Sequence, residues 1–81
     1  MENTLAVLTL MVKDYQSVEK VNALLHEARE YIVGRMGIPY HPRQVSVISV
    51  VLDAPQEVIN ALSGKLGMLP GVSSKVLTSK Q

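Results

Sequence analysis

Cysteine, tryptophan and phenylalanine are all missing from this 81-residue chain, and three tyrosines are its only aromatic side chains. The absence of thiols removes disulfides, thiolate metal sites and cysteine nucleophiles together. Tyr15, Tyr31 and Tyr40 are too few and too dispersed to form a stacking platform for single-stranded nucleic acid. No charge of one sign dominates either: eight Lys and Arg stand against seven Asp and Glu, a formal net charge of +1. The basic residues Lys13, Lys20, Arg29, Arg35 and Arg43 are scattered rather than striped, a poor electrostatic footprint for DNA or RNA, so no direct nucleic-acid binding is expected. No segment approaches the roughly 20 apolar residues that span a bilayer. The N-terminus passes almost directly into a strand-like run, without the pattern of a secretory signal, and a cytoplasmic protein is the expectation.

What the chain does have is apolar β-forming sequence in excess of what it can cover. In residues 4–12, Leu5, Val7, Thr9 and Met11 alternate with Ala6, Leu8, Leu10 and Val12. In residues 45–52, Val45, Val47, Ser49 and Val51 alternate with Ser46, Ile48, Val50 and Leu52. Both runs are apolar on both faces, which predicts two central strands. Ser17 is a candidate cap for a helix whose apolar positions Val18, Val21, Leu25, Ala28 and Ile32 recur at intervals of three and four. A short, imperfect edge strand is expected over residues 31–38, its glycines Gly34 and Gly37 and its Arg35 suiting an edge. Asp53 or Ala54 should cap a second helix with Pro55 in its first turn. Val58, Ile59, Leu62 and Leu66 form its apolar face, and Gly64 or Gly67 should end it. Pro70 and Gly71 turn the chain into a last strand over residues 72–78 with Lys75 pointing outward.

The order strand, helix, strand, strand, helix, strand predicts an α+β, ferredoxin-like βαββαβ sandwich over the single domain 1–81: a four-stranded antiparallel sheet, first and third strands central, under two helices on one face. If Leu8, Leu10, Ile48 and Val50 meet the helices, then Leu5, Val7, Met11, Val45, Val47 and Val51, with Thr9 and Ser49 among them, line an open face. Exposed apolar surface of that kind marks an interface, and a homo-oligomer, dimer or tetramer, is expected through these eight residues. Thr9 and Ser49 then serve as polar contacts across it, since neither has a base within evident reach that would make it a nucleophile.

Candidate chemistry is sparse. His26 and His41 are the only histidines; a metal site needs them to meet each other or their symmetry copies, and the plainer reading is one surface-helix residue and one hairpin residue. Ser63-Gly64-Lys65 has the ending of a phosphate-binding loop without its earlier glycine or following hydroxyl residue, so that motif is rejected. Gly64 stands out inside a helical pattern, next to Asn60 on the wheel. Either the helix ends early there or something approaches the backbone closely. All acids lie at or before Glu57, leaving Lys65, Lys75 and Lys80 without counter-charge, as a solvated edge or an anion-binding stretch.

Three blocks carry a resemblance. Ala61-Leu62-Ser63-Gly64-Lys65-Leu66-Gly67-Met68-Leu69-Pro70-Gly71-Val72, together with Val21-Asn22-Ala23-Leu24-Leu25-His26 and Gly34-Arg35-Met36-Gly37-Ile38-Pro39-Tyr40, resembles a family of small proteins known as iron-only hydrogenase system regulators, over nearly the whole length. The resemblance implies an ACT-like module, akin also to the nickel-binding domain of the nickel-responsive repressor, and such modules bind small molecules or ions at subunit interfaces. Two departures narrow it. Amino-acid-binding ACT modules carry a glycine in the loop after the first strand, where this chain has Lys13-Asp14-Tyr15-Gln16, and the nickel domain uses several histidines and a cysteine that are missing here. The expectation is therefore a non-enzymatic regulatory module without a cofactor or membrane partner, binding a small ligand or protein partner between subunits. Asn60, Gly64, Lys65 and His41 are its candidate ligand contacts. The alternative is a metal-ion-responsive sensor using His26 and His41, and a small enzyme with a site between subunits is the third class.

Overall fold

The computed structural model describes residues 2–79, so Lys80, one of the three uncountered lysines, lies outside the described residues. Strand β1 spans Thr4–Val12, helix α1 Tyr15–Glu27, strand β2 Ile32–Tyr40, strand β3 Val45–Ala54, helix α2 Gln56–Gly67 and strand β4 Val72–Thr78. The four strands form one antiparallel sheet in the order β2-β3-β1-β4. This is the ferredoxin-like arrangement, with the two strands that read as apolar on both faces in the middle. Period-two burial follows directly: Ala6, Leu8, Leu10 and Val12 of β1 and Ile48, Val50, Leu52 and Ala54 of β3 are buried, and their alternates are not.

The helices cover that one side. Helix α1 sets Val21 and Leu25 into the core and α2 adds Ile59, Leu62 and Leu66, the spacing of three and four that puts one stripe of a helix against a sheet. Strand β2 receives little of this cover. Its helix-side positions are Arg35, Gly37 and Pro39, opposite Val50, Ile48 and Ser46, and Arg35 bridges to the Asn22 amide oxygen of α1 at 2.9 Å instead of packing. Proline on this strand is tolerated because an edge has one ladder free of partners. A bulge at Val33, where the register shifts between Ile32 and Gly34, twists the edge further.

Element boundaries differ from the sequence reading in instructive places. Helix α1 starts at Tyr15, capped by Asp14, whose carboxylate accepts from the Gln16 N–H at 2.9 Å. Ser17 is therefore not the cap; it is buried, and its hydroxyl donates to the Pro70 carbonyl at 2.6 Å. The edge strand begins one residue later and ends two later than expected, after a 3-10 turn over Arg29–Tyr31. Strand β3 continues to Ala54, which leaves Pro55 as the first residue flanking α2, and α2 runs unbroken through Gly64 to Gly67.

One junction locks the loop after β1. Lys13 N–H donates to the Gly71 carbonyl at 2.8 Å, Ser17 holds Pro70, and Gly71 sits at φ +70 with its α-carbon so near that a Cβ there would lie 2.8 Å from Asp14 Cβ and 3.0 Å from Asp14 N. Only glycine meets both demands.

Candidate functional site

Antiparallel register sets the open face row by row. Val51, Val7 and Leu77 lie side by side across β3, β1 and β4, followed by a row in which Met36 leads into the polar Ser49, Thr9 and Lys75, then Ile38, Val47, Met11 and Ser73, and finally Tyr40 beside Val45. Leu5 closes the other end. Leu5 at 46%, Met11 at 49% and Leu77 at 73% exposure present large apolar side chains to solvent, while Val7, Val45, Val47 and Val51 are half-buried among their neighbours. All eight open-face residues picked out by alternation thus share one surface, and Thr9 and Ser49 are direct partners at its centre.

At one end this face becomes positively charged. Val12 pairs with Ser46, so the chain leaves β1 at Lys13 beside Val45, which in turn pairs with Tyr40. The tight turn between β2 and β3 is a 3-10 turn over His41–Arg43 closed by Gln44 in the left-handed conformation at φ 53. The outcome is a depression lined by Met11, Lys13, Tyr40, Arg43, Val45 and Val47. A second hollow shares Lys13, Tyr40 and Val45 with it and reaches round the sheet end to Tyr15, His41 and Gln44.

The remaining sequence candidates do not converge. His41 belongs to the sheet-end hollow, whereas Lys65 lines a groove between the helices with Leu24, Glu27, Tyr31 and Val58. Asn60 accepts from the Gln56 side chain at 3.0 Å along the same exposed helix face. Gly64 has nothing within 4 Å of where a Cβ would stand, so no part of its own subunit requires a glycine there. The late lysines separate too: Lys65 stands on the helical layer, and Lys75 pairs with Thr9 on the open face. His26 is in the last turn of α1, about 16 Å along the helix axis from Tyr15 at 1.5 Å per residue, and Tyr15 lines the same hollow as His41. Among the described residues no group of three or more His, Cys, Asp or Glu gathers to hold a metal ion, and no helix is long and apolar enough to cross a membrane.

Sequence reasoning missed the convergence of Lys13, Tyr40 and Arg43. The signal was present in the register: once residues 4–12 and 45–52 are paired antiparallel and a tight turn joins β2 to β3, the three must share one end of the sheet.

Four antiparallel strands in the order β2-β3-β1-β4 under two helices define a ferredoxin-like domain of the ACT-like kind. Within that class, residues 4–76 match the family model TM1266-like, described as "Iron-only hydrogenase system regulator, putative", and the chain belongs to this family. Among solved structures it is similar to the uncharacterized protein TM1266 from Thermotoga maritima, with 36% identity and a TM-score of 0.93 over 98% of this chain and 100% of that one. A formyltetrahydrofolate deformylase from Pseudomonas putida KT2440 shares the fold alone, at 15% identity and a TM-score of 0.65, over 90% of this chain and 28% of the enzyme. Comparison with curated proteins gives no match.

Proposed function

We propose that this chain is a non-enzymatic regulatory module of an iron-only hydrogenase system, one that assembles with copies of itself through the open sheet face and binds a small ligand or protein partner where copies meet. The observation that carries this reading is the apolar surface that Leu5, Val7, Val51 and Leu77 build on one side of the Ser49-Thr9-Lys75 row, and Met11, Val45 and Val47 on the other. A domain this small gains much of its stability from burying such surface, and a second copy offers the same apolar pattern in return. Family membership supplies the regulatory context. A ligand that binds the assembled and the free forms with different affinities would shift the population of assembled molecules by that difference, which couples a metabolite or partner level to assembly without any catalytic step.

Sedimentation velocity at micromolar concentration tests the assembly. The expected result is a species larger than one chain, and Val7→Glu, at the middle of the face, is expected to return it to a monomer with an unchanged circular dichroism spectrum. Monomers alone for the unmodified protein would overturn the reading.

A further inference from the structure

The corner of the open face has a chemistry of its own, deepening the ligand-binding part of the function proposed above without depending on assembly. We infer that Lys13, Tyr40 and Arg43 form a binding site for a small organic anion, a carboxylate or phosphate head on an apolar body, seated over Met11, Val45 and Val47.

Charge is one half of the argument. Two cations border the depression and no carboxylate lines it. Asp14, the acid adjacent in sequence to Lys13, has its carboxylate engaged by the Gln16 N–H at 2.9 Å, capping α1. The hydrogen bonds made by side chains of the described residues use other groups, which leaves the Lys13 ammonium and the Arg43 guanidinium available to an incoming anion. A guanidinium and an ammonium on one rim match either acidic head.

The floor is the other half. Met11, Val45 and Val47 present apolar surface, and Tyr40, half exposed at 50%, stands as a wall beside it. An inorganic ion could satisfy the cations yet would leave this floor wet; a neutral apolar molecule could cover the floor yet would bring nothing to the cations. Only an amphipathic anion uses both. Fixed backbone supports each charge: Lys13 is tied by its N–H to the Gly71 carbonyl at 2.8 Å, and Arg43 sits in a turn closed by the Gln44 N–H to the His41 carbonyl at 3.1 Å. Little backbone order would be lost on binding, the condition under which a shallow site still holds a small ligand.

The test is a titration of the uniformly labelled protein followed by amide chemical shifts, with four probes: 3-phenylpropionate, phenyl phosphate, the neutral 3-phenylpropanamide and inorganic phosphate. At least one of the two amphipathic anions should bind, with shifts centred on Lys13 and on residues 40–47, and the pair separates a carboxylate from a phosphate preference. The amide and inorganic phosphate should each bind about tenfold more weakly or worse. Lys13→Gln and Arg43→Gln, both at exposed positions, should each weaken the anion by about five- to tenfold, while Lys75→Gln, elsewhere on the same face, should leave it unchanged. Equal binding of the amide, equal binding of inorganic phosphate, shifts centred elsewhere, or no saturable shift with any probe would each overturn the site. Sedimentation run on the same samples keeps the two readings apart. Binding to a monomer would sink the assembly and leave this site standing, and an assembled protein that ignores all four probes would do the reverse.

Discussion

Gly71 and Gly64, only seven residues apart, make opposite demands. At Gly71 the backbone is left-handed and Asp14 fills the space a Cβ would need, so Gly71→Ala should destabilise the domain by about 1 to 3 kcal/mol, measured by chemical denaturation. At Gly64 the helix continues and the space is open. Gly64→Ala should then stabilise the domain by about 1 kcal/mol, the ordinary gain of alanine over glycine inside a helix. If a ligand or second copy does approach that backbone, the gain would be offset and binding lost with it, which makes the same variant a direct check on the candidate contacts Asn60, Gly64 and Lys65. From sequence, Gly64 reads as an early helix end or a close approach and Gly71 as a plain turn; within the chain the close approach is at Gly71, made by Asp14, and a neighbour distant in sequence is what local pattern does not carry.

Strands β1 and β3 were legible because a half-period of one residue sorts every side chain to one face or the other, and burial follows it without exception from Ala6 to Val12. The start of α1 was not. Asp14 and Ser17 are both good capping residues three positions apart, and the choice between them is made by the Pro70 carbonyl, which takes the Ser17 hydroxyl at 2.6 Å. Ser17→Ala should cost about 1 kcal/mol, and the loss should appear as faster hydrogen exchange in the first turn of α1 and the start of β4 rather than in β2 or β3. Asp14→Ala removes the cap itself and should cost a similar ~1 kcal/mol. The end of β2 was underestimated because Pro39 reads as a terminator, whereas at an edge it costs no ladder hydrogen bond and pairing continues to Tyr40 opposite Val45.

For the molecule as a whole, the apolar surface was visible in the alternation of two segments, and the charged corner was not, because Lys13 and Arg43 lie far apart in the chain and meet only through sheet register. Self-association driven by that surface should persist from low to high salt, since exposed charges contribute little to it, and should weaken on cooling as apolar burial loses strength; sedimentation across salt and temperature checks both. Ordering by charge would show the opposite dependence. One further feature bears on how such a domain can be used. The Ser79 N–H donates to the Leu5 carbonyl at 2.9 Å, so the described chain enters and leaves on adjoining strands, about one strand spacing of 5 Å apart. A host protein can therefore accept the whole unit within a single surface loop, both junctions falling at one point, and a circularly permuted version closed by a few glycines should fold with new ends opened elsewhere.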